Sequence, residues 1–220
     1  MTSVLLTLQR LVPWAAGLSI GVPVAAFLYW VYNPALPADW LPYTGTVKPA
    51  TMAAVFFCGL SLWLQADEQQ VAQITRKMAQ GFSVLALVLA AGTMAEYLLS
   101  IDLGIDLWFT PSPDYALDSH PGRMAPATAF AIMMLSLALL RIDSNQQEDA
   151  AHYLALLGGT VGAIALVGYL YGVRTLYKVG TSNSISIISA ALLLTLGLGI
   201  LSARPARGFM STLTGDDLGA

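Results

Sequence analysis

Six apolar stretches of membrane-spanning length divide this chain: Leu11–Tyr32, Thr46–Leu64, Gly81–Ile101, Met124–Leu140, Tyr153–Gly172 and Ser184–Ala203. A helix needs about 20 mainly apolar residues to cross the hydrocarbon core of a bilayer. Strands are excluded, because no stretch alternates at period two and an isolated strand in lipid would leave its backbone unpaired. The expected fold is therefore all-α, an integral membrane bundle of six transmembrane helices. Composition agrees. Charged residues make up 10% of the chain and the mean hydropathy is +0.66, whereas soluble domains carry about 25% charged residues. The opening stretch "MTSVLLTLQRLVPWAAGLSIGVPVAAFLYWVY" holds Arg10 as its only early cation. Its apolar part outruns the roughly 7–15 residues of a cleavable signal, so it reads as a retained anchor helix.

The connections sort by charge. One side holds Arg10, Arg76, Lys77, Arg141, Arg204 and Arg207; the other holds Lys48, Arg123, Arg174 and Lys178. The richer side is expected to face the cytoplasm. That gives a multi-pass protein of a bacterial inner membrane with both termini inside. The net charge of −3 gives no reason to expect nucleic acid. The single cysteine, Cys58, allows no intrachain disulfide and no CxxC site.

Two stretches align without a gap, "GTVKPATMAAVFFCGLSLWL" and "GRMAPATAFAIMMLSLALL". Gly45 matches Gly122, Pro49 matches Pro126, Ala50 matches Ala127, and Thr51 matches Thr128. A third copy, "NSISIISAALLLTLGLGILSA", sets Ser189 where Thr128 stands and lacks the proline. The helices before them, around "AAFLYWVYN", "MAEYLLSID" and "LVGYLYGVR", each place a Leu and a Tyr near the outer end. The chain thus reads as three repeated helical hairpins, about 11–64, 81–140 and 153–203. Proline in a first helical turn costs little, because its missing N–H would be unpaired there.

Glu96 is the one acidic residue well inside an expected span, and an ionisable residue there suggests function. Arg123 enters the next helix from the same side. Two readings stay open: a polar pocket beneath the outer surface lined by Glu96, Tyr97 and Arg123, or Glu96 snorkelling to the interface with Arg123 on lipid phosphate. The connection between these helices adds Asp102, Asp106, Asp114, Asp118 and His120. A solvated acidic loop is the plainer reading of those carboxylates, since no EF-hand spacing is present. Arg123 has no counterpart in the other hairpins, where Thr46 and Ser184 stand. Any site should therefore belong to the second hairpin. Gly17 with Gly21, and Gly158 with Gly162, form G-x-x-x-G pairs that mark close helix packing within the bundle or between two copies. No catalytic constellation, metal-ligand set or cofactor fingerprint appears.

At "EYLLSIDLGIDLWF", "PGRMAPATAFAIMMLSLALL" and "GILSARPARGFMSTLTGDDLGA" the chain resembles the N-terminal multi-pass membrane sensory regions of bacterial sensor histidine kinases and diguanylate cyclases. By this resemblance Glu96, Tyr97, Asp102, Asp106, Gly122, Arg123, Pro126 and Thr128 fall on recurrent outer-side positions. The resemblance implies a sensory domain over 1–203 and a cytoplasmic linker over 204–220. It implies as partners the lipid bilayer, a second copy in a homodimer, an unknown small ligand, and a PAS, kinase or GGDEF output domain beyond the linker. Any catalysis would belong to that output domain. The alternative expectation is a small transporter or channel built from repeated hairpins.

Overall fold

The computed structural model describes residues 2–32, 47–66, 72–105, 122–143, 148–178 and 183–205. Six α-helices form among them: α1 (Thr2–Tyr32), α2 (Pro49–Leu64), α3 (Gln73–Leu99), α4 (Pro126–Arg141), α5 (Glu148–Tyr171) and α6 (Ile187–Ala203). No strand forms among the described residues. A single antiparallel bridge joins Lys178 to Ser184 beside a 3₁₀ turn at Arg174–Leu176.

The helix starts follow from local chemistry. Pro49 and Pro126 occupy the first turns of α2 and α4. α6 lacks a proline and begins on Ser186, whose hydroxyl accepts from the Ser189 backbone N–H at 3.1 Å. A side-chain cap thus replaces proline as the start signal in the third case. α1, α3 and α5 each begin ahead of their expected apolar spans. The polar stretch Gln73–Gln80 is helical because it contains good helix formers and no breaker. Pro13 and Pro23 both lie inside α1, which remains one continuous helix.

Each helix packs on its neighbours in chain order, and α1 closes the ring against α6. The short helices α2, α4 and α6 also touch one another. They form the centre, and α1, α3 and α5 lie around them. Burial shows the same division. In α2 a continuous run from Pro49 to Val55 is buried. By contrast, 28%, 33% and 33% of the apolar windows of α1, α3 and α5 are buried. Their large apolar side chains, among them Trp14, Val31, Val88, Leu98 and Leu170, point outward. Such an exterior would drive aggregation in water and is suited to lipid. α1, α3 and α5 are long and apolar enough to cross a membrane, whereas α2, α4 and α6 are shorter apolar helices.

Small residues let the helices approach. A Cβ on Gly162 would lie 2.5 Å from the Ala190 carbonyl oxygen of α6, and one on Gly158 would lie 2.9 Å from the Ala131 oxygen of α4. This G-x-x-x-G pair therefore serves the contacts of α5 with both inner neighbours. A Cβ on Gly17 or Gly21 would meet nothing within 4 Å among the described residues. That pair lies on a face of α1 that the described residues leave open. Gly162→Ala should accordingly destabilise the bundle by roughly 1–3 kcal/mol through overpacking against backbone. Gly17→Ala should leave stability unchanged or raise it by up to about 1 kcal/mol from helix propensity. Thermal unfolding in mild detergent checks both, and equal losses at the two positions would contradict this division.

Candidate functional site: two charge clusters at opposite ends of the bundle

α3 ends in a left-handed residue, Ser100, at φ 53°. The chain then folds back over the helix end. The Leu103 backbone N–H donates to Glu96 Oε1 at 2.9 Å, and the Gly104 N–H donates to Asp102 Oδ1 at 2.9 Å. Glu96 thereby fixes the segment that follows its own helix.

The approach to α4 meets it there. Gly122 has φ 79°, a conformation that disfavours any side chain, and it delivers Arg123 to the α3 end. Arg123 Nε lies 3.1 Å from Glu96 Oε2, with the two side chains 4% and 0% exposed. Arg123 Nη2 lies 3.5 Å from Asp102 Oδ1. The guanidinium also sits 5.5 Å from the Tyr97 ring centroid, within cation–π range. Two further bonds hold its backbone surroundings. Tyr97 Oη donates to the Met124 carbonyl at 3.2 Å, and Asn183 Nδ2 donates to the Arg123 carbonyl at 2.7 Å. Residues from α3, from the start of α4 and from the lead into α6 thus converge. A cavity of about 240 Å³ opens here, lined by Glu96, Tyr97, Ser100, Ile101, Asp102 and Arg123.

The expected pocket residues Glu96, Tyr97, Asp102 and Arg123 therefore come together. Asp106, together with Gly45, Asp114, Asp118, His120 and the linker beyond Pro205, lies outside the described residues. Asn183 and Ser100 were not legible as site residues. Asn183 stands in a short polar connection with no spacing signal, and it reaches Arg123 only through the fold.

A second cluster occupies the other end and was not foreseen. Arg204, the residue after α6, is 2% exposed. Its Nε and Nη2 donate to Asp143 Oδ1 at 3.2 and 2.9 Å, and its Nη1 donates to the Gln65 carbonyl at 3.1 Å. Asp143 Oδ2 faces Arg76 Nη2 at 3.2 Å. Gln65, the C-cap of α2, donates from Nε2 to Ser61 Oγ at 2.9 Å, and Ser61 Oγ meets Ser83 Oγ of α3 at 2.7 Å. One guanidinium thus ties together the feet of α2, α4 and α6, and Asp143 adds α3. In the sequence Arg204 counts only as one more cation on the more basic side.

Four of these charges oppose their helices. A helix N-terminus carries partial positive charge and its C-terminus partial negative charge, worth about 0.3–1 kcal/mol to a nearby ion. Arg76 is in the first turn of α3 and Glu96 in its last, while Arg123 precedes α4 and Asp143 follows it. Each sits at the end its charge disfavours. Each pair therefore depends on its partner. Arg204, at the C-termini of α6 and α2, is the cation placed with the helix dipoles.

Comparison with protein-family models, with curated proteins and with solved structures gives no match.

Arg123→Ala leaves a buried carboxylate without its guanidinium and should cost about 3–5 kcal/mol. Glu96→Gln with Arg123→Met keeps an acceptor for the Leu103 N–H and removes both charges. The double variant should be more stable than Arg123→Ala alone. A double variant as unstable as the single would show that something other than charge pairing holds this end.

Proposed function

We propose that this chain is the membrane-embedded input module of a bacterial signalling receptor, and that a small polar ligand entering the Glu96–Arg123 cavity is its stimulus. The observation that carries the reading is a fully buried ion pair forming the wall of an open cavity. Such a pair is a weak source of stability, because desolvation offsets its attraction. It is a good recognition element, because a polar ligand can exchange bonds with it. The pair lies where α3, α4 and the lead into α6 meet, so rearranging it moves three elements.

In this proposal all six helices cross the membrane as three hairpins, with both termini in the cytoplasm. The direction of the helices supports it. The end of α3 and the starts of α4 and α6 meet at one end through Tyr97, Arg123 and Asn183. The start of α3 meets the ends of α2, α4 and α6 at the other through Arg204, Asp143 and Ser61. A shared clip supports the hairpin repeat. Tyr97 donates to the Met124 carbonyl and Tyr169 to the Ile185 carbonyl; in both cases the acceptor precedes the helix N-cap by one residue. The short central helices would reach both interfaces with local thinning of the bilayer, a modest cost per ångström of mismatch. A homodimer belongs to the proposal, with the open Gly17–Gly21 face of α1 as its contact.

Native mass spectrometry of the protein released from mild detergent tests the input site. Wild type should retain a small molecule that is lost from Glu96→Gln and from Arg123→Lys while helical circular dichroism is unchanged. An equally occupied Arg123→Lys variant, or no retained species in any variant, would overturn the cavity as the site of input.

A further inference from the structure

The second hairpin carries ion pairs at both ends. At its outer end Glu96 of α3 pairs with Arg123 ahead of α4. At its inner end Arg76 of α3 pairs with Asp143 after α4. Each pair has a third member, and at the outer end it is Asp102, 3.5 Å from Arg123 Nη2. Asp143 is shared, with one oxygen turned to Arg76 and the other gripped by Arg204 at the foot of α6.

α4 between the two ends is a rod of 16 residues, about 24 Å long at 1.5 Å per residue. It contains no proline beyond its first turn. Its facing residues are buried among α2, α3, α5 and α6, from Thr128 through Ile132 and Leu135 to Leu139. A packed rod of this kind shifts or turns as a unit, because a close-packed interior does not deform continuously. Movement of Arg123 at one end therefore becomes movement of Asp143 at the other. Among the described residues, the guanidinium groups of Arg76 and Arg204 hold Asp143 at the negative end of α4.

We infer that Asp143 is the coupling residue of the bundle, and that the state of the Glu96–Arg123 pair sets, through α4, whether Asp143 holds Arg204 and so fixes the exit of α6. With the outer pair intact, Arg204 is locked onto Asp143 and the Gln65 carbonyl. When the outer pair opens, α4 shifts, the grip loosens, and Arg204 is freed. The regulatory use of this device rests on the sensory reading given above, but the coupling itself needs neither ligand nor output domain.

Amide hydrogen exchange of the full chain in lipid nanodiscs tests it as a double-mutant cycle with Glu96→Gln, Asp143→Asn and both together. The readout is the exchange rate at Ile200–Arg204, with Leu103 reporting the outer end. Asp143→Asn should raise exchange at Ile200–Arg204 about tenfold. Glu96→Gln, at the far end of the bundle, should raise it several-fold. Adding Glu96→Gln to Asp143→Asn should then change it little, because the link is already cut. Two results overturn the inference. One is wild-type exchange at Ile200–Arg204 in Glu96→Gln, which removes the charge of the outer pair whether or not the Leu103 N–H keeps its acceptor. The other is a double variant whose rate is the product of the two single effects. Should Asp143→Asn lose protection throughout Ile132–Leu135, Arg76→Gln takes its place in the cycle. It cuts only the half-exposed side of the clamp, and the same two results count against the inference. Failure of the mass-spectrometric test with non-additive exchange would remove the ligand and keep the coupling; the reverse pair of results would do the opposite.

Discussion

Close approach of backbone to backbone between the short helices and their long neighbours α1 and α5 is the constraint on which the other features depend. In lipid the surrounding tails are as apolar as leucine, so helices associate through contact and polar bonds more than through expulsion of water. The buried faces of α2, α4 and α6 alternate small residues, such as Ala54, Gly59, Ala131, Ala190 and Gly197, with large ones, such as Leu62, Leu135 and Leu196. Gly197 approaches Gly159 of α5 so closely that a Cβ there would lie 2.8 Å from the Gly159 Cα. Larger residues at these points would push the ring of helices apart. Hydroxyls and the thiol add short polar links between helices, such as Ser61 to Ser83 at 2.7 Å and Cys58 to Ser136 at 3.5 Å.

Among the described residues the buried charges, Lys48, Glu96, Arg123 and Arg204, all lie at the two ends of the bundle. There charge is used in opposite manners. Arg204 satisfies carbonyl oxygens at the C-termini of α2 and α6 and lies with their dipoles, a stabilising arrangement. Arg76, Glu96, Arg123 and Asp143 lie against the dipoles of α3 and α4 and are held by pairing. A protein that needed only stability could place hydrophobic residues at Glu96 and Arg123. Retaining two buried ions beside an open cavity, at unfavourable helix ends, is the pattern expected where local consistency is given up for function.

Much of this architecture was legible in the sequence, for identifiable reasons. Helix type followed from length and hydropathy, and the helix starts at Pro49 and Pro126 followed from proline's missing N–H. That Glu96 and Arg123 share a side was legible, because one is an acid inside a span and the other a cation at the threshold of the next; that they pair was not, because the sequence left snorkelling and lipid contact open. Helix extents were less legible, since α3 runs eight residues into polar sequence where no breaker stops it. The inner clamp was illegible because Gln65, Asp143 and Arg204 stand in separate connections, far apart in the chain. Each has an ordinary reading as a solvated end residue. The hint available was position alone: Arg204 directly follows the last apolar residue of α6 and precedes Pro205, so its stem cannot leave the bundle freely. The two glycine pairs look equivalent as motifs, yet one packs inside the chain and the other does not. Motif spacing alone does not say which face of a helix is covered.

The central claim is that the short helices cross the bilayer, so that the outer pair and the inner clamp lie on opposite sides of it. Cysteine accessibility in intact cells measures this most directly, using Ala72→Cys and Leu103→Cys in a Cys58→Ala background with a membrane-impermeant maleimide. If all six helices cross, Leu103→Cys is labelled from outside and Ala72→Cys only after permeabilisation. If α1, α3 and α5 alone cross, the two positions exchange sides, and the account of a stimulus carried through α4 fails with them.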